Sequence, residues 1–397
     1  MESLSLGVFE QRHHLIRSWL ERESYQALVV LEPENAFYLS GLLLEEMTWE
    51  RPLAVVIPVG AEPFFVMNEI STHRVRLAKE RGKLAITETF FWREHPASTN
   101  RYYTYPQWVQ LIADLLKRGG IDRGVIACDT KPDAIRDLVK YLPKIEMTAE
   151  PDLLLQMRRV KCKEEQDLVR HAGILTDYGQ EVFRTLVAPG KLVQEVDFEA
   201  IKQMHIKGAE LFPKAHITCR GYSLTGPASA APHGMGMDSH ERMQAGHVVV
   251  NILTARINGY TCENERTWIL GEPSQDQAKA FQAALSANQA ALAELRPGNA
   301  ISSVDAAAQR IIESAGYGNN IRHRTGHPLG IGAHEHPFDV GFNHGPLLEG
   351  ELWAIEPGIY IYGLGGFRID DTALVGSDGP EVITTTPRDL ESQTIRL

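Results

Sequence analysis

A chain of 397 residues is longer than one hydrophobic core usually serves, so two domains are expected. Its 43% hydrophobic and 23% charged residues are those of a folded globular protein. A formal net charge of −11 argues against the basic face that nucleic acid or an anionic membrane surface requires. Cys128, Cys162, Cys219 and Cys262 form no CxxC pair, which excludes a zinc knuckle and predicts buried or half-buried free thiols in a reducing compartment. The first thirty residues hold no signal-peptide core, and no stretch approaches the roughly 20 apolar residues that span a bilayer. A cytoplasmic protein is expected.

Residues 9–23 carry apolar side chains at helical spacing, and Ala27–Leu31 follows as a short run suited to a buried strand. Pro58–Pro63 reads as a hairpin turn between Leu53–Ile57 and Pro63–Met67. A helix around Trp108, Leu111, Ile112 and Leu115 precedes a strand at Gly124–Ala127. Helices alternating with buried strands predict an α/β domain with a mostly parallel or mixed sheet over residues 1–152, its pattern ending near Pro151. From Lys163 a long amphipathic helix runs to Pro189, with a second over Val196–Ile206. Another helical pair spans Gln275–Leu295 and Val304–Ala315. Strands are expected at His247–Leu253, Tyr260–Leu270, Leu352–Ile355, Gly358–Ile361 and Asp371–Val375. Residues 153–397 therefore read as an α+β domain with a helix-helix-strand-strand unit used twice.

The chemistry concentrates in that second half. Asn258-Gly259 is a two-residue hairpin signal, and after it Glu263 and Glu265 share one face of a strand. Two like charges on a half-buried face need a cation. Glu356 stands before Pro357-Gly358, and Asp370-Asp371 follow Arg368. His323, His327, His334 and His336 crowd among Gly326, Gly330 and Gly332, with His233 upstream. Histidines and carboxylates without thiolates suit manganese, cobalt or zinc, and equally suit metal-free acid/base work on a cation.

Val160–Glu165, Gly259–Thr267, Gly326–Gly330, His334–Pro337, Ile355–Tyr360 and Gly366–Thr372 resemble, in order, the motifs of the creatinase, aminopeptidase P and prolidase superfamily, peptidase family M24. The resemblance spans the chain. It implies a creatinase/prolidase-type N-terminal domain and a "pita-bread" catalytic domain. It further implies a homodimer in which the N-terminal domain reaches the partner's active site. The superfamily's peptidases hold two divalent ions with Asp, Asp, His, Glu and Glu. Carried over, these positions fall on Asn251, Glu263, His327, Glu356 and Asp370. Three are altered, so the resemblance predicts no metal or a weakly bound Mn, Co or Zn ion.

Glu265-Arg266-Thr267 resembles creatinase, which works without metal. There the glutamates matching Glu265 and Glu356 hold a guanidinium, and the histidine matching His233 is the acid/base. His334-Glu335-His336-Pro337 looks more like the peptidases, where the residue matching His334 binds the substrate carbonyl. His233, His334, Glu265 and Glu356 are thus the expected catalytic residues, with Glu263, Arg368 and His323 contacting substrate. The reading stated first is a creatinase-like hydrolase of an amide or amidine C–N bond in a small cationic substrate. A metal-dependent Xaa-Pro dipeptidase or aminopeptidase acting on short peptides is the alternative, and an inactive binding module the third. Neither nucleic acid nor membrane is an expected partner.

Overall fold

A computed structural model describes residues 3–44, 48, 50–93, 105–234 and 236–397. The chain divides into two compact units, Leu4–Arg158 and Arg159–Leu397.

The first unit comprises α1 (Leu6–Glu23), β1 (Tyr25–Val30), α2 (Pro33–Ser40), β2 (Ala54–Pro58), β3 (Phe64–Asn68), α3 (Thr72–Glu80), β4 (Glu88–Trp92), α4 (Tyr105–Arg118), β5 (Arg123–Cys128), α5 (Leu138–Tyr141) and β6 (Lys144–Ala149). It closes on α6 (Pro151–Arg159). The strands form one mixed sheet in the order β4-β3-β2-β1-β5-β6. The expected hairpin joins β2 to β3, while β5 runs parallel to β1 and β6. Trp108, Ile112 and Leu116 of α4 pack on Val29, Val56, Val66 and Ile126, a core made from helical spacing on one side and continuous apolar strands on the other.

The second unit opens with α7 (Lys163–Leu186) and α8 (Val193–Leu211), followed by β7 (Ile217–Thr225), β8 (Val248–Ile257) and β9 (Tyr260–Leu270). Then come α9 (Gln275–Glu294), α10 (Ile301–Ser314), β10 (Gly326–Pro328), β11 (Leu352–Ile355), β12 (Gly358–Ile361), β13 (Gly365–Arg368), β14 (Asp370–Gly376), β15 (Gly379–Val382) and β16 (Thr394–Ile395). The main sheet runs β10-β11-β14-β9-β8-β7, with β15 on β14 and β16 on β9, and β12 pairs with β13 apart from it. One face carries α7 and α8 on Val249, Trp268 and Leu270. Val248 and Ile269 join the other core, with Phe281 of α9, Val304 of α10 and Trp353. A pita-bread architecture with two helix pairs results.

Several details depart from the sequence reading. The second helix begins at Val193 and runs to Leu211, longer than Val196–Ile206. Strand β7 lies outside the expected strands, because Thr218, Arg220, Gly221 and Ser223 break up its apolar residues. In the fold that glycine makes room for Leu253, whose Cδ2 would lie 2.4 Å from an added Cβ. Cys162 is exposed at the start of α7, while Cys128, Cys219 and Cys262 are buried free thiols. The Cys162 N–H donates to the Glu165 carboxylate at 2.7 Å, so the residue serves the helix end rather than the core.

Candidate active site

Strand β9 organises the site by alternation. The turn before it holds Asn258 at φ 47° and Gly259 at φ 88°, the doubly left-handed geometry that a two-residue hairpin requires. This fixes the register of β8 on β9, with Ile252 opposite Glu265 and Thr254 opposite Glu263. Asp370 of β14 lies opposite Glu265 on the far side. Opposed residues share a face, so Glu263, Glu265 and Asp370 come together as expected. The intervening residues point to α7. Asn264 Nδ2 donates to Asp177 at 2.9 Å, and Arg266 pairs with Asp371 at 2.9 Å, the second pair fully buried. Arg266 is therefore outside the acidic cluster.

The same register corrects Asn251. It lies opposite Arg266, on the helix face. Its Nδ2 donates to Ser223 Oγ at 3.0 Å, and that hydroxyl donates to Asp197 of α8 at 2.5 Å. A side chain so held is not a ligand of the acidic cluster. The residue that faces the cluster from β8 is Ile252, which has no donor atom. A one-residue shift along a strand exchanges its faces, and that shift separates the expected ligand from the residue that faces the cluster.

Strand β10 brings His327 in from the side. Gly326 makes this possible, because an added Cβ would sit 2.1 Å from the Ala354 carbonyl oxygen of β11. His327 Nε2 lies 3.4 Å from Glu263 and 3.5 Å from Glu356, the residue that follows β11. Arg368, closing β13, reaches into the cluster: its Nε is 2.5 Å from Glu265 Oε2 and its Nη2 donates to Oε1 at 3.0 Å. Its Nη1 donates to the Pro232 carbonyl at 2.8 Å and lies 3.7 Å from Glu356. Arg368 is committed to the protein's own groups, which leaves it little freedom for the substrate contact expected of it.

Above this buried layer opens a cavity of about 860 Å³ whose walls include His233, His323, Arg324, His334, Phe338 and Glu356. The His334 ring stacks on His327 at a centroid distance of 3.6 Å. His323 Nε2 meets the Tyr360 hydroxyl at 2.7 Å, and its Nδ1 donates to the Arg324 carbonyl. His336 packs edge-on against Phe338 instead. Glu335 anchors the loop from below, accepting from Lys161 Nζ at 2.8 Å and from the backbone of Ile331 and Gly332. Sequence reasoning missed Arg324 and Lys161. Lys161 lies in the Val160–Glu165 motif, but nothing in the sequence marks the contacts of either, since their partners lie 10 and 174 residues away.

Burial sets the electrostatics. Burial and then Glu265 and Glu356 push Glu263 well above the usual carboxylate range, and burial followed by Glu265, Glu263 and Glu356 does the same to Asp370. Glu265 is raised by burial to about 7, with Arg368 opposing. At Glu356 burial also acts upward, but Arg368 and His327 outweigh it and hold the group low. Burial takes His327 down to about 4, a neutral imidazole with a free lone pair.

Both Asp370 carboxylate oxygens are buried without a hydrogen-bond partner among the described residues. Among those residues no three His, Cys, Asp or Glu side chains already surround one ion position. Donor chemistry nevertheless fits a hard divalent ion: Glu263, Glu356 and Asp370 offer oxygen, and His327 offers nitrogen. The orphaned carboxylate is the group such an ion would satisfy.

A pita-bread unit holding a buried carboxylate-histidine cluster beneath a histidine-lined cavity defines a hydrolase of the metallopeptidase type. The family profiles agree, with Peptidase_M24 (metallopeptidase family M24) over residues 167–377 and the creatinase/prolidase N-terminal domain over residues 12–160. The chain belongs to metallopeptidase family M24, and it is a hydrolase acting on C–N bonds. It is 28% identical over 386 residues to the Xaa-Pro dipeptidase of Pyrococcus furiosus, covering 96% of this chain and 99% of that one. The Xaa-Pro dipeptidase of Lactobacillus helveticus is 27% identical over 391 residues, covering 96% and 98%. Among solved structures, dipeptidase PepE from Mycobacterium ulcerans superposes with a TM-score of 0.81 at 26% identity and full coverage of both chains. The prolidase from Pyrococcus horikoshii gives 0.79 at 25% identity, covering 96% and 99%. Such relatives favour the peptidase alternative over the creatinase-like reading placed first. No helix among the described residues is long and apolar enough to cross a membrane.

Proposed function

We propose that the protein is a divalent-metal-dependent Xaa-Pro dipeptidase, cleaving the bond before proline in a short peptide. The observation that carries this reading is the Asp370 carboxylate, buried without a partner beside Glu263, Glu356 and His327. A divalent ion held by those four residues would supply Lewis acidity, making water nucleophilic near neutral pH and polarising the scissile carbonyl. The remaining steps belong to the chain. His334, on the cavity wall, donates a hydrogen bond to the carbonyl oxygen as charge develops there. His233 faces the same cavity and handles the proton of the departing nitrogen, while His323, both of its nitrogens bonded within the protein, shapes the wall beside it. The metal-free reading needs Glu265 to grip a cationic substrate, and that carboxylate already carries the guanidinium of Arg368. Assembly as a two-fold homodimer belongs to the same proposal, and sedimentation at micromolar concentration should give twice the chain mass.

The test compares Ala-Pro, Ala-Ala and creatine as substrates of the purified protein. Hydrolysis of Ala-Pro that chelator abolishes and Mn²⁺ restores is the expected result. Turnover of creatine at full rate in chelator would overturn it.

A further inference from the structure

Strand β8 lends the acidic cluster no carboxylate. The face it turns there is Val250, Ile252 and Thr254, while Asn251 is held on the other face by Ser223 and Asp197. Ser223 Oγ gives its proton to Asp197, so it can only accept from Asn251, whose Nδ2 is held on that face by the bond. What the cluster holds instead is a second charge device. Glu265 stands directly across from Ile252, and both of its oxygens are engaged by one side of the Arg368 fork. The pair is buried, and an arginine does not release its proton. Pulling the pair apart to admit another ion on Glu265 would strand the guanidinium away from water.

On the reading that the protein is a metallopeptidase, we propose that its centre takes one divalent cation and not two. Glu263, His327, Glu356 and Asp370 hold that ion, and the Arg368 guanidinium locked on Glu265 occupies the place of a second positive charge. The four donors belong to one buried cluster: His327 Nε2 lies 3.4 and 3.5 Å from Glu263 and Glu356, and both Asp370 carboxylate oxygens lack a hydrogen-bond partner among the described residues. Arg368 Nη1 lies 3.7 Å from the outer oxygen of Glu356. A second dication would therefore stand against a fixed guanidinium with no carboxylate left to itself.

The experiment titrates the metal-free full-length protein with Mn²⁺, reading stoichiometry by calorimetry and ion coupling by electron paramagnetic resonance. One ion per chain with the spectrum of an isolated Mn²⁺ is expected. Glu265→Gln should keep that stoichiometry, whereas Asp370→Asn should weaken binding by 100-fold or more. Ile252→Asp should admit a second, weaker ion and bring exchange coupling into the spectrum. Two ions per wild-type chain with a coupled spectrum would overturn this inference and leave the metallopeptidase reading intact. No binding at millimolar Mn²⁺ by a folded wild-type protein would overturn both. Loss of the single ion in Glu265→Gln, with the fold intact by circular dichroism, would overturn the assignment of Glu265 to the arginine.

Discussion

Arg324 decides which nitrogen of His334 carries a proton. Its guanidinium donates to the carbonyls of Gly326 and Phe338, each at 3.1 Å, and to His334 Nδ1 at 3.1 Å. A guanidinium accepts nothing, so Nδ1 must present its lone pair and Nε2 must hold the proton. His334 is thereby set as a donor, the form needed to meet a developing oxyanion. Arg324→Met should lower kcat by about 10–10²-fold, less than the roughly 10²–10³-fold of losing a direct oxyanion donor. KM should change little. Steady-state kinetics of the double variant check the origin of the loss: combined with His334→Ala, Arg324→Met should add nothing further. Full additivity would assign Arg324 a separate role. At the same scale, Lys161→Met leaves the Glu335 carboxylate buried without its cation. It should cost about 3–5 kcal/mol in urea unfolding.

Strand β9 is an element with two unrelated jobs on its two faces, and each can be tested alone. On the helix side, Arg266 also donates to the carbonyls of Glu265, Asp370 and Thr386, and Asp371 takes a further pair from Arg388. Arg266→Met should destabilise the second unit by about 3–5 kcal/mol, seen as a lower denaturant midpoint. Asp197 fastens α8 to β7 through the Ser223 N–H and hydroxyl, and burial lifts its carboxyl to about 6. A carboxyl raised in the fold binds more protons folded than unfolded, so stability falls as pH rises from about 4 to 6, by up to about 1.4 kcal/mol per unit. Asp197→Asn should accordingly gain on the wild type between pH 4 and pH 7 in paired urea titrations. The strands themselves were legible from composition: Tyr260–Leu270 and Leu352–Ile355 lie where apolar runs and the Asn-Gly turn put them. The residue that β8 turns to the cluster was not. Val248–Ile257 is apolar on both faces, so no polar alternation marks which residue looks inward, and a polar Asn251 beside an apolar Ile252 points the wrong way. The register, visible only once β8 is paired, decides it. Arg368 was legible as a residue of interest but not as Glu265's partner, a contact spanning 103 positions.

Across the whole molecule, each unit carries its own core, with α4 on the mixed sheet in one and two helix layers in the other. Two cores of this kind should melt as separable transitions. Trp108→Ala removes a fully buried indole from the first and should cost about 3–5 kcal/mol there. Calorimetry should then move one transition and leave the other in place, and a single concerted shift would contradict the division. The facing of Ile252 and Glu265 across one rung of the β8–β9 ladder has a bearing on descent as well. Neighbours on a rung can trade a carboxylate without disturbing the backbone, so the two positions form a natural unit of inheritance. Read together in other members of the family, they become a two-letter label: an aliphatic residue at the first with glutamate at the second should travel with an arginine at the position of Arg368. Lineages in which that arginine is lost should be seen to surrender the glutamate in the same step.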